Sequence, residues 1–253
     1  MKAMNSFPAG IFFPLRPFLL FFSFFVFYFL SPAVCHAETP EETARRLQQT
    51  YDQVKSLSFH FSQKTEGELS GRAQQGSGTA WFVKEKKGKG PAGTVGKMRW
   101  DYISPEKQIL VSDGVNFSMY FAKLQQMIVS PAETMAADIT YSFFTGTGNL
   151  LKDFIISAPN AEFAPKKEGK ESPGPSVVIK LTPKEKQSQV SAIHLWVTPK
   201  SLIERIDILD HFDTRTTLEL SDLAVNSLET TDRKAMDALF IFVPPEGTEI
   251  IYQ

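Results

Sequence analysis

The sequence has a single cysteine, Cys35, and only four histidines among 253 residues. Cys35 falls in an N-terminal stretch that reads as a removable leader. Once that stretch is gone, no disulfide, thiolate metal site or cysteine nucleophile can be built. The remaining histidines, His60, His194 and His211, stand in no two-histidine zinc spacing. There is no Gly-x-Ser-x-Gly elbow, and the acids are dispersed, with no pair singled out for acid–base work. Asp207, Asp210 and His211 are close in sequence, but with Leu209 beside them on an alternating strand they predict an exposed edge and turn. No catalytic residue, metal or cofactor is therefore assigned, and the chain does not read as an enzyme. An excess of one charge is lacking too: 27 basic against 28 acidic side chains leave a net charge of −1. Such a balance gives no electrostatic footprint for nucleic acid.

Phenylalanine is abundant and unevenly placed. Nine of its 22 occurrences lie between Phe12 and Phe29, seven of them in an apolar run from Pro17 to Leu30 preceded by Lys2 and Arg16. Ala33, Cys35 and Ala37 then offer small residues for a leader peptidase, and no basic stop-transfer cluster follows. This layout predicts a cleaved signal peptide over residues 1–37 and a single exported domain over 38–253. The leader holds two basic residues and no acid, so the remainder carries 25 basic and 28 acidic side chains, a net −3. A monomer is expected.

Thr39-Pro40-Glu41-Glu42 is a helix start: a side-chain cap, a proline tolerated in the first turn and two acids at the positive end of the dipole. Ala44, Leu47, Tyr51 and Val54 recur at helical spacing, so about four turns follow. Strict alternation then takes over. Leu57, Phe59 and Phe61 share one face of a strand, with His60 on the other. Thr79 to Val83 is a second strand. In the third, Met98, Trp100 and Tyr102 alternate with Lys97, Arg99 and Asp101. Ile109 to Val111, the Asp113-Gly114 turn and Val115 to Phe121 complete a β-meander with one large apolar face.

Residues 84–97 form a basic loop of five lysines against one glutamate. Its Gly90 to Lys97 portion has the wrong glycine spacing for a phosphate loop, and Met98 stands where that loop needs Ser or Thr. Gln125 to Val129 continues as strand, and residues 131–135 start an irregular or helical stretch. Asn149 to Ile155 reads as a short helix entered through Gly146 and Gly148. Residues 164–176 are polar and Pro/Gly-rich, a loop. Four more strands follow at 177–181, 192–197, 203–209 and 216–220. Leu239 to Val243 is a last apolar run, and a polar tail closes the chain. So many strands with one apolar face require closure or a cover, but only two or three helices exist. The fold class is mainly β: a strongly curved antiparallel sheet, an unclosed barrel with short helices as its lid.

Several segments together resemble one family. Phe59-His60-Phe61-Ser62-Gln63-Lys64 follows the first helix, then come Gly78-Thr79-Ala80-Trp81-Phe82-Val83 and the meander Met98 to Tyr120. Leu195-Trp196-Val197-Thr198-Pro199 precedes Ile203 to Asp207, and Phe240 to Thr248 includes Pro244-Pro245-Glu246-Gly247. Their order and spacing, with a leader in front, are similar to LolA, the outer-membrane lipoprotein carriers. The resemblance implies a periplasmic chaperone with a hydrophobic cavity under a helical lid. Its expected partners are acylated lipoproteins, an inner-membrane lipoprotein-releasing ABC transporter and an outer-membrane lipoprotein receptor. A lipoprotein-sensing regulator of the same fold is the alternative. On this resemblance, Trp81, Met98, Trp100, Phe117, Met119, Leu150, Leu151 and Phe154 are the cavity or lid candidates. The family's Arg-Pro after the tryptophan strand, whose arginine holds the lid, is replaced here by the lysine–glycine loop. Lys84, Lys97 and Arg99 are then the basic residues for lid control or docking.

Overall fold

The structure, a computed structural model, describes residues 38–67, 71–84, 96–137, 139–145, 148–164 and 176–253. The leader and most of both polar loops, at 85–95 and 165–175, lie outside the described residues. Helix α1 (Pro40–Gln53) opens as its sequence dictates. The Thr39 hydroxyl accepts from the Glu42 amide and the Glu42 carboxylate accepts from the Thr39 amide, a reciprocal capping box. Thr43, Ala44, Leu47, Gln48 and Tyr51 form its buried stripe.

Strands β1 (Ser56–Glu66), β2 (Gln74–Val83), β3 (Lys97–Ser104), β4 (Gln108–Ser112), β5 (Asn116–Phe121) and β6 (Gln126–Pro131) follow as an antiparallel meander. A 3-10 turn leads to α2 (Ile139–Thr145) and α3 (Leu150–Asp153), which runs directly into β7 (Phe154–Ser157). Then come β8 (Val177–Pro183), β9 (Ala192–Val197), β10 (Ile203–Leu209), β11 (Arg215–Val225), α4 (Arg233–Leu239) and β12 (Glu249–Tyr252). All twelve strands join one unclosed sheet in the order β12-β6-β5-β4-β3-β2-β1-β11-β10-β9-β8-β7. The long β1–β11 pairing welds the two meanders together, so β12 and β7 become the free edges.

Three readings of the sequence are corrected here. The helix expected over Asn149 to Ile155 stops at Asp153, because Phe154 pairs with Pro183 as strand. Leu239 to Val243 is no strand. Leu239 ends α4, and the polar tail instead forms β12, parallel to β6. Asp207 is not at an exposed edge: it is completely buried, and Arg205 and Arg215 both donate to its carboxylate. Buried carboxylates need such pairing, since an isolated charge there costs far more than a salt bridge returns.

The period-2 alternation builds two apolar clusters. The larger lies on the inner face, beneath α1, α2 and α3, and contains Leu57, Phe59, Phe61, Phe82, Met98, Trp100 and Phe117. The smaller lies on the outer face of β4–β6, where Ile109, Val111, Tyr120 and Met127 pack on Phe240 beyond α4. The β2–β3 register shifts between Ser77 and Gly78. A Cβ at Gly78 would sit 1.9 Å from the Asp101 carbonyl oxygen and 3.0 Å from the Phe61 ring. Gly78→Ala therefore forces β2 and β3 apart, with an expected destabilisation of about 1–3 kcal/mol or more, read by urea denaturation.

Candidate functional site

The inner core is not filled along its whole length. Between α2 and α3 on one side and strands β8–β10 on the other is a cavity of about 580 Å³. Its deep wall is apolar: Phe143, Phe144, Leu150, Phe154, Leu181, Ile193, Leu195, Ile203, Ile206 and Ile208. The strand contributions obey alternation. Ile193 and Leu195 point in while His194 and Trp196 point out, and Ile206 and Ile208 point in on β10. The rim is polar, with Asn149, Lys152, Asp153, Lys184, Glu185 and Gln187. An apolar interior with a few polar groups at its mouth suits a ligand with a long hydrocarbon part.

Aromatic packing closes one end. Tyr51 of α1 meets Phe143 at 4.6 Å between centroids, and Phe144 lies 5.0 Å from Phe82 and 5.5 Å from Phe59. The Tyr51 hydroxyl accepts from the Ile203 amide at 3.2 Å, which anchors α1 to the start of β10. Burial raises the Tyr51 hydroxyl well above its ordinary range, so it stays neutral.

The other end is closed by α3, a single turn held from both sides. Its first amide, on Leu150, donates to the Gln48 side chain of α1 at 2.8 Å. Asn149 caps the turn through the Lys152 amide, and Asp153 accepts from the Asn149 amide. At its far end the Lys184 ammonium donates to the carbonyls of Leu151 and Lys152, both at 2.9 Å, and the Lys184 amide donates to the Asp153 carbonyl. A cation on the last carbonyls of a helix also complements its dipole. One lysine thus holds the whole C-terminal end of the turn at the cavity mouth.

Residues 52–234 match the family described as "Outer membrane lipoprotein carrier protein LolA". The chain belongs to this family. An outer-membrane lipoprotein carrier protein of Methylococcus capsulatus is 26% identical over 231 residues, covering 89% of this chain and 97% of that protein. One from Dechloromonas aromatica is 24% identical over 222 residues, covering 88% and 91%. Among solved structures, a LolA superfamily protein of Nitrosomonas europaea aligns with 12% identity, covering 81% of this chain and 99% of that one, at a TM-score of 0.39.

Of the eight cavity or lid candidates expected from sequence, Leu150 and Phe154 line the cavity. Met98, Trp100, Phe117 and Met119 belong to the same inner core but sit along the sheet from it. One placement is corrected. Trp81 faces the outer cluster, and its neighbour Phe82 takes the inner position, a one-residue inversion of the kind strand periodicity punishes. Leu151 sits on α3, exposed and outside the cavity wall.

The three basic candidates hold other elements. Lys84 donates to the Tyr51 carbonyl at the end of α1, and burial lowers its pKa, with Asp52 opposing. Lys97 pairs with Asp237 at 2.8 Å, and Arg99 bonds the Leu239 carbonyl, so both pin α4 to the outer face. Phe143, Phe144, Gln48 and Lys184 were missed. The Tyr141-Ser-Phe-Phe144 run before a glycine was the available signal for the first two; nothing in the sequence marks Gln48 or Lys184. Among the described residues there is no cluster of three metal-ligating side chains, and no helix is long and apolar enough to cross a membrane.

Replacing Lys184 by Met removes the two side-chain hydrogen bonds to α3 and retains most of the volume. Amide exchange at residues 150–153 should accelerate by roughly tenfold or more, because a charged hydrogen bond is worth about 1.5–3 kcal/mol. The amides of β1 and β11 should be unchanged.

Proposed function

We propose that this protein is a periplasmic chaperone that takes lipoprotein acyl chains into the cavity and carries them from the inner to the outer membrane. The observation that carries this reading is the cavity of about 580 Å³, apolar within and polar at its rim. The physical task is solubility. Each buried methylene is worth ~0.8 kcal/mol, so ten of them on one chain amount to about 8 kcal/mol, a micromolar affinity at best before binding costs. Transfer then needs no covalent chemistry. A partner that offers a better apolar environment collects the chain, and the carrier only has to open and close.

Opening is assigned to α3. It is a single turn at the cavity mouth, held by Gln48 and Lys184 rather than by Lys84, Lys97 or Arg99. The volume lies within the ~300–1,000 Å³ that holds one drug-sized ligand. One acyl chain fits the closed form, and a lipoprotein with three requires the lid turn to swing away. An inner-membrane lipoprotein-releasing transporter and an outer-membrane lipoprotein receptor are the proposed donor and acceptor.

Native mass spectrometry of residues 38–253 with a triacylated lipoprotein and with its unacylated form tests the reading. A one-to-one complex that requires the acyl chains, with the lipoprotein recovered intact, is expected. Equal binding of both forms would assign the protein to peptide recognition, and hydrolysed acyl chains to catalysis. Ile208, only half-buried on the cavity wall, is the place to fill it. Ile208→Trp should lower acyl-dependent complex formation by roughly tenfold or more and change stability by about 1–3 kcal/mol.

A further inference from the structure

Across the sheet from the cavity lies a second unusual site. Four buried side-chain polar atoms among the described residues lack a hydrogen-bond partner, and three of them meet here: Nδ1 and Nε2 of His194 and Nε of Arg215. His194 is fully buried on the outer face of β9, paired in register with Lys180 of β8 and Asp207 of β10. Asp207 is already engaged by Arg205 at 2.9 Å and Arg215 at 3.0 Å.

What covers His194 is a segment that follows β7. Residues 158–164 double back over the outer face, and a single 3-10 turn (Ala161–Phe163) delivers Phe163, also buried, onto the imidazole. The two rings are 3.7 Å apart at 14°, and the Arg215 guanidinium lies 4.3 Å from the Phe163 centroid. Trp196 meets Phe163 edge-on at 6.2 Å and carries the Arg205 guanidinium at 4.5 Å. Asn160, at the start of the turn, accepts from the Lys180 ammonium at 3.0 Å. The segment is thus held by one stacked ring and one side-chain hydrogen bond.

We propose that this arrangement is an acid-released clasp: neutral His194 holds residues 158–164 on the outer face through Phe163, and protonation of the imidazole expels the segment. The surrounding charges set the direction. An imidazolium would face Lys180 on β8, Arg205 on β10 and Arg215 on β11. Among the described residues Asp207 is the acid that pairs with His194 across the strands, already shared between two guanidiniums; Glu219 on β11 lies 3.9 Å from Arg205, and Glu162 on the segment itself is exposed. Neither ring nitrogen has an acceptor within reach for the second N–H that protonation would create. Stacking on Phe163 opposes this in part, since a ring face attracts a cation, but the same ring already carries the Arg215 guanidinium at 4.3 Å.

Burial, then Lys180 and Arg215, push the His194 pKa down to about 4 from 6.5, with Asp207 opposing. With the segment released, the His194 imidazole takes up its proton at a higher pH than when it is covered. Docking is therefore fully favoured above 6.5, weakens as the pH falls, and is lost through about 4. Since the segment directly continues β7, and β7 directly continues α3, release frees the sheet edge that borders the cavity. The clasp itself does not depend on what the cavity binds.

Residue-resolved amide exchange, corrected for intrinsic rates, tests it. Between pH 6.5 and 4 the protection of the Phe163 and Ala164 amides should fall at least tenfold, roughly one decade per pH unit of linkage, while Ile179 in the core stays protected. His194→Phe keeps a stacked ring that cannot titrate and should hold protection over that range. Phe163→Ala should show at pH 6.5 the exchange that the unmodified protein shows at pH 4. Protection that ignores pH, a parallel loss in His194→Phe, or simultaneous loss at Ile179 would each overturn the proposal. If His194→Phe does not fold, NMR of the unmodified protein decides: the Phe163 ring resonances must shift with the His194 titration, and a shift that follows the carboxylates instead refutes the clasp.

Discussion

An apolar sheet that does not close on itself has to be covered, and nearly everything else in this protein follows from how that is done. Twelve strands present a continuous greasy inner face, yet β12 and β7 never meet. The cover comes from α1, fourteen residues long and properly capped, and from two much shorter pieces, α2 and α3. α1 is fixed by aromatic packing and by the Tyr51 hydroxyl, so it behaves as part of the core. The short pieces cannot fill the remaining space. What they leave is the cavity.

The division of labour between apolar and polar contacts is consistent across the lid. Phe143 and Phe144 enter a dense ring cluster, where burial is worth several kcal/mol and rearrangement is costly. α3 is instead fastened by hydrogen bonds at its two ends, from Gln48 and Lys184, each modest in net free energy because water offers a substitute. Releasing an element held this way would leave the core packing intact.

The outer face shows the same economy in reverse. Where β4–β6 expose Ile109, Val111 and Tyr120, the chain returns as α4 and Phe240 to cover them, pinned by Lys97 and Arg99. Where β8–β11 carry charges, the cover is Phe163, laid on an imidazole among guanidiniums. The first cover rests mainly on buried apolar area. The second rests on the protonation state of one ring.

Local grammar in the sequence determined the elements themselves. The Thr39 cap, the 3.6-residue stripe of α1, the alternation of β1, β3 and β9–β11, and the Asp113-Gly114 turn are nearest-neighbour effects, and each stands where its residues put it. The family resemblance in those strands also held. Tertiary structure decided which face each residue serves. Trp81 and Phe82 are adjacent and both aromatic, so only strand register separates the outer cluster from the inner core. The tail of the chain becomes strand because β6 offers it an edge, not because of its own composition. Gln48 and Lys184 act on α3 from more than thirty residues away, and the buried Asp207 is tolerable only because Arg215 arrives from the next strand. Contacts of that separation leave no periodic trace, since they depend on where the folded chain returns rather than on which residues are neighbours.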